Sequence, residues 1–187
     1  MQIRKPIFVC FLLRAGLALL CLGLSFSPLE SDASEQKLER VKIAFVYKFL
    51  SLVEWDGGAD HTSSSDLVIG VAGDKHFISR FSVLRDKFIR SRKVSIKSVT
   101  PRNSATEPIN VLYVKNPRHR HIDRLHAGVG DTPVLTITEG GKDQLQSYMI
   151  VIYEHEGYVR FDINNTLARS KGIKLNAKLL ELAGRVI

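Results

Sequence analysis

Leu67-Val68-Ile69-Gly70-Val71-Ala72-Gly73-Asp74 decides the fold. A run of apolar and small residues, rich in β-branched side chains, reads as a strand buried on both faces. Gly73-Asp74 is its turn, and Asp74 is placed to cap a helix through about Leu84 with Phe77, Ile78, Phe81 and Leu84 facing inward. The unit then recurs. Ile109–Val114 and Val134–Thr138 are further buried strands, and between them Asn116-Pro117 opens a short helix with Ile122 and Leu125 inward. Lys93–Val99 alternates instead, Val94, Ile96 and Val99 against Lys93, Ser95 and Lys97, which predicts a half-exposed strand. Met149–Tyr153 and Tyr158–Ile163 flank Glu154-His155-Glu156-Gly157 and read as an antiparallel hairpin. Asn164 caps a short helix that Gly172 stops, Ile173-Lys174-Leu175 is extended, and Asn176 caps the last helix. Upstream, residues 35–54 form a helix with Leu38, Val41, Phe45, Phe49 and Leu52 on one stripe and Val46, Leu50 and Val53 on a second. This order predicts an α/β fold: a single domain with a mostly parallel sheet, helices on both faces and a C-terminal antiparallel hairpin.

The N-terminus is of another kind. Arg4 and Lys5 precede an apolar run, Ile7–Ser27, that only Arg14 interrupts, and Ser31-Asp32-Ala33 offers small residues for cleavage. Residues 1–33 read as an export signal and 34–187 as the working domain. The alternative, an uncleaved anchor, needs about 20 uninterrupted apolar residues, which Arg14 denies it. Both cysteines, Cys10 and Cys21, lie in the leader. The domain therefore has no thiol for a disulfide, a nucleophile or a metal ligand. Export to the periplasm also separates it from ATP, GTP and NADH.

The chain is basic, with Lys and Arg exceeding Asp and Glu by 8. An exported basic protein suits anionic headgroups, an acidic protein face or a small anion better than nucleic acid. The basic clusters at Arg85–Lys93 and Arg118–His121 lack the interleaved aromatics of single-strand binders, so no nucleic-acid partner is expected. No nucleophile elbow or phosphate loop is present, and Gly70-Val71-Ala72-Gly73 lacks the third glycine of a dinucleotide fingerprint. It keeps only the general capacity of amides at a strand end and helix start to hold an anion. His119, His121 and His126 match no standard metal spacing, and Arg118, Arg120 and Arg124 would repel a cation. Asp162 reads as a lone, exposed strand carboxylate, a surface residue or salt-bridge partner, without a second acid to work with. No catalytic residue, cofactor or metal is expected. The chemistry left is binding.

Three stretches carry a resemblance. Val41–Phe49 with Val53-Glu54-Trp55, Ile69–Asp74, and Val159–Asn164 with Ala168-Arg169, Gly172–Leu175 and Leu179–Ala183 are similar, in order and spacing, to the YfiR-like periplasmic family. Val111–Val114 and Pro133–Ile137 fit its intermediate strands. The resemblance implies a non-enzymatic α/β domain that inhibits a membrane diguanylate cyclase by binding its periplasmic sensor domain, and so controls cyclic di-GMP and biofilm formation. It also implies a small ligand, since members are implicated in binding nucleotides and aromatic amino acids. The chain departs from the family pattern with Asp56 in place of proline, Ser147-Tyr148 in place of Gly-Gly, and Asn110 in place of cysteine. The alternative is a periplasmic ligand sensor acting on another membrane signalling protein, such as a histidine kinase. Trp55, Lys174 and Asn176 are the candidate site for an anionic or aromatic ligand: a ring to stack, a cation, and the start of the last helix. Phe45, Phe49 and Leu52, on a helix with more apolar surface than one core face hides, are the candidate positions for docking or for a homodimer.

Overall fold

Buried β-rich runs separated by helices pair side by side in the computed structural model, which describes residues 29–55, 66–103, 108–115 and 119–187. The elements are α1 (Leu29–Ser51), β1 (Val53–Trp55), β2 (Leu67–Ala72), α2 (Lys75–Arg80), β3 (Phe88–Ile89), β4 (Arg92–Ser98), β5 (Val111–Val114), α3 (His119–Val129), β6 (Leu135–Glu139), β7 (Ile150–His155), β8 (Tyr158–Ile163), α4 (Asn165–Ser170), β9 (Ile173–Leu175) and α5 (Ala177–Glu181). The leader lies almost wholly outside the described residues, as do Asp56 and Arg118. Two compact units are distinguished, Met1–Gln36 and Lys37–Ile187, and everything that follows concerns the second.

The main sheet has seven strands in the order β3-β4-β2-β5-β6-β7-β8. The five central strands are parallel, and β3 and β8 close the edges as antiparallel partners. The expected fold class is the observed one. Every residue of β5 and β6 is buried, as strands covered on both faces require. Alternate side chains divide between two cores. Ile69, Val71, Tyr113, Ile137, Ile152 and Phe161 pack with Ile43, Val46, Phe49 and Leu50 of α1 and Phe77 of α2. Leu112, Val114 and Val151 pack on the other face with Leu125 and Val129 of α3.

Local signals behave as read. Asp74 Oδ1 accepts a 2.8 Å bond from Phe77 N–H, and Asn164 Oδ1 accepts one of the same length from Leu167 N–H. Glu156 and Gly157, both at positive φ (52° and 76°), form the β7–β8 turn. Gly70 is needed for close approach: a Cβ there would lie 2.6 Å from Val99 Cγ2. Asn110 caps the start of β2 by accepting bonds from Val68 N–H and the Arg92 guanidinium.

Two expectations change. The first helix ends at Ser51, not 54, because Val53–Trp55 leaves it as β1 and pairs with β9, Val53 against Leu175 and Trp55 against Ile173. The alternation of buried Val53, exposed Glu54 and buried Trp55 has a period of two, which a helix cannot bury. Asp162 is 1% exposed; its Oδ1 accepts a bond from the Tyr153 hydroxyl at 3.0 Å, and Oδ2 faces Arg185 at 3.4 Å.

Candidate functional site

The chain order within the sheet locates the site. From β2 the chain crosses to β4 on one side, then returns past β2 to β5 and continues through β6 and β7 on the other. The helix after β2 packs on one face and the helix after β5 on the opposite face. Open α/β sheets bind ligands in the crevice such a reversal leaves at the carboxyl ends of the strands. Here that end carries Gly73-Asp74 after β2, Lys115 after β5 and Glu139 at the end of β6.

Buried charges converge at this end. Glu39 and Lys42 are three residues apart on α1 and so share a helix face. The Lys115 ammonium donates to Glu39 Oε1 at 2.7 Å, and Arg80 of α2 pairs with Glu39 Oε2. The Lys42 ammonium donates to Glu139 Oε2 at 2.5 Å, and the Tyr113 hydroxyl donates to Glu139 Oε1 at 2.8 Å. Lys115 Nζ also lies 4.4 Å from the centre of the Phe77 ring, a cation–π contact. Glu39, Glu139 and Tyr113 are buried, at 5%, 7% and 0% exposure. Burial first, and then the adjacent Glu139 carboxylate, push the Tyr113 phenol well above its usual range. The Asp74 carboxyl is held below its usual range, first by the Phe77 N–H and more weakly by Lys115. The arrangement can bind and hold charge. It contains no activated nucleophile.

The match of the YfiR/HmsC-like family model runs over residues 39–184, from Glu39 through the whole sheet to the terminal helix. The chain belongs to the YfiR/HmsC-like family. At the level of the family, YfiR/HmsC-like proteins are periplasmic, non-catalytic regulators of diguanylate cyclases. Among curated proteins none matches this chain. One solved structure with a likeness is the ABC domain in complex with L-Trp from Streptococcus pneumonia, at 11% identity and a TM-score of 0.46 over 64% of this chain. This chain spans 55% of that chain's length, and so distant a likeness says nothing about ligand or activity here. No described helix is long and apolar enough to cross a membrane.

The residues that the sequence offers for ligand binding and docking fall elsewhere. Trp55, Lys174 and Asn176 come together on the β1–β9 ribbon and its continuation. Trp55 is 5% exposed, so its ring faces are enclosed by the core. Lys174 lies opposite Glu54 on the outer face of the ribbon. Asn176 is a cap: its Oδ1 accepts from Lys178 N–H at 2.9 Å, and the helix it starts, α5, has only five residues. Of the docking positions, Phe49 is 1% exposed and belongs to the core, where its ring meets Phe161 at 4.8 Å. Phe45 and Leu52 are half-buried, and Val41 is exposed. The core takes most of the apolar surface of α1.

A second concavity opens at the amino ends of the strands. A cavity of 120 Å³ is lined by His126, Thr132, Thr136, Ser147, Met149 and Lys171, among others. His126 stands edge-on to Tyr148 with ring centres 4.8 Å apart. Burial pushes the His126 imidazole below its ordinary range, Lys171 adds to this, and Asp123 opposes it.

Proposed function

We propose that this protein binds the periplasmic sensor domain of a membrane diguanylate cyclase and holds the cyclase inactive, so that cyclic di-GMP and biofilm rise when it lets go. The observation that carries this reading is the family match over residues 39–184, which spans the whole described sheet. An exported regulator has no access to cytoplasmic GTP, so its influence on cyclic di-GMP has to cross the membrane through a partner. Such a switch needs tighter binding to one state of that partner than to the other.

The docking surface we assign is the outer side of α1, with Val41 exposed at 38% and Phe45 and Leu52 half-buried beside the core. A homodimer through the same surface is part of this reading. Deleting the gene should raise cyclic di-GMP and surface attachment only in cells that carry the cyclase. Val41→Asp should do the same without unfolding the protein, because an exposed substitution of this kind costs within about 0.5 kcal/mol. Sedimentation of Val41→Asp against the wild type reads the dimer. If cyclic di-GMP stays flat on deletion wherever the protein is expressed, the inhibitor reading fails and a sensor acting on another membrane protein takes its place.

A further inference from the structure

We propose that Lys115 and Arg80 form a binding site for a small carboxylate at the sheet's switch point, and that Glu39 occupies this site as the chain's own stand-in for that ligand. The inference goes beyond the cyclase reading and does not depend on it.

Three observations lead there. The first is position. Lys115 follows β5 directly, and Arg80 ends the helix that follows β2, so the two cations flank the crevice at which open α/β sheets take ligands. The second is convergence. Two cations from different elements meet on one buried carboxylate, Lys115 at 2.7 Å on Oε1 and Arg80 on Oε2, with the Phe77 ring beneath the ammonium. That is how a carboxylate ligand is gripped. A helix packed on a sheet for stability alone gains little from such a group, since apolar residues in place of a buried ion pair are often as stable.

The third is how lightly Glu39 is tethered. Between Lys37 and Arg40 it is the one buried residue, Leu38 is half-buried, and the continuous core contacts of α1 begin at Ile43. This turn can withdraw while Ile43, Val46, Phe49 and Leu50 keep the rest of α1 in place. Local charge selects the ligand class. Lys42 and Glu139 neutralise each other. With Glu39 withdrawn, Arg80 keeps its contact with His76 Nε2, and among the described residues the carboxyl that feels the Lys115 charge is that of Asp74. One negative charge balances that set, which fits a carboxylate rather than a phosphate dianion.

A tethered carboxylate competes at an effective concentration of order millimolar or above, so the wild type should bind free carboxylates weakly. Glu39→Ala removes the competitor. The probe is sodium acetate, titrated against sodium chloride at equal ionic strength, with thermal unfolding and calorimetry as readouts. Glu39→Ala should be stabilised by acetate and bind it about tenfold or more tightly than the wild type does. Adding Lys115→Ala to that variant should abolish the response. If Glu39→Ala does not fold alone, recovery of its fold in acetate but not in chloride supports the site. Glu39→Gln, which keeps the shape and loses the charge, should then show the same preference in smaller degree. Equal responses of variant and wild type to acetate would overturn the proposal. So would an acetate response that survives Lys115→Ala, or the absence of any response in both Glu39 variants.

Discussion

Two polar regions of this sheet, the charged cluster at its carboxyl end and the His126–Tyr148 pair at its amino end, treat buried polar groups in opposite ways. At the carboxyl end each buried charge faces an opposite one, and the Tyr113 hydroxyl is bonded to Glu139. At the amino end, neither His126 Nε2 nor the Tyr148 hydroxyl has a hydrogen-bond partner among the described residues, and a cavity lies beside them. The difference separates two uses of polarity. Paired charges favour one arrangement of the elements that supply them, here α1 and α2 against β5 and β6. An unpartnered buried group costs its desolvation and specifies nothing. The charged cluster at the carboxyl end is therefore where replacing a polar group should hurt, and the His126–Tyr148 pair is where it should not.

The hardest test of that contrast is Glu139→Ala. Glu139 is 7% exposed and accepts from both Lys42 and Tyr113. Removing it leaves a half-buried ammonium and a buried hydroxyl without their partner. Truncating one member of a buried pair costs about 3–5 kcal/mol, and we expect a loss in that range. Urea unfolding with an unchanged m-value measures it. A loss under about 1 kcal/mol would place the network among surface ion pairs, which are worth little, and the contrast would collapse.

Next comes Tyr113→Phe. The ring stays, in contact with Phe77 and Phe81, and only the bond to Glu139 Oε1 goes. Hydrogen bonds to charged groups are worth about 1.5–3 kcal/mol, and we expect a loss of that size by the same urea assay. A loss much smaller than that of Glu139→Ala, but clearly above zero, would apportion the network between its two donors.

The two ends were also unequally legible in the sequence. The buried runs of β2, β5 and β6, the hairpin at Glu156-Gly157 and the caps at Asp74, Asn164 and Asn176 are local signals, and local rules read them. The strand Val53–Trp55 was hidden because its partner, Ile173–Leu175, lies far along the chain, and three residues carry too little periodicity to announce a strand. The same holds for β3, with two residues. The charged site was missed for a related reason. Glu39 and Lys42 on α1, Arg80, Lys115 and Glu139 come from four separate parts of the chain, and each alone reads as a solvated charge. Only the strand order joins them. One signal did point there: Gly73-Asp74 after β2 was read as an end able to hold an anion, and Lys115 stands at the equivalent place after β5. Trp55 reads from the sequence as a ring at a helix end, and the structure places it as the buried last residue of β1.

A third test uses pH at the amino end. The folded state keeps the His126 imidazole below its ordinary range because of burial, with Lys171 adding to this and Asp123 opposing. Below the unfolded value near 6.5 the unfolded chain takes up a proton that folded His126 refuses. Stability from this group is thus fully present above that pH and is lost as pH falls toward the folded value. His126→Asn should flatten the fall in melting temperature between about pH 7 and pH 5 relative to the wild type. An unchanged slope would mean that burial does not hold the proton off His126 in the folded state.

The smallest effect expected is the most discriminating, because it repeats a substitution already made at the other end. Tyr148→Phe removes a hydroxyl as deeply buried as that of Tyr113: both residues are 0% exposed. The ring keeps its edge-on contact with His126. Burial alone pushes the Tyr148 phenol well above its usual range, whereas at Tyr113 a carboxylate partner adds to the shift. With no partner to lose among the described residues, the change relieves a desolvation cost and breaks no bond. We expect stability to stay within about 1 kcal/mol of the wild type, on the neutral or favourable side. A loss as large as that of Tyr113→Phe would show that the Tyr148 hydroxyl has a strong partner in solution, a bound water in the neighbouring cavity being the nearest source. The two ends would then differ in the identity of their partners and no longer in whether they have them.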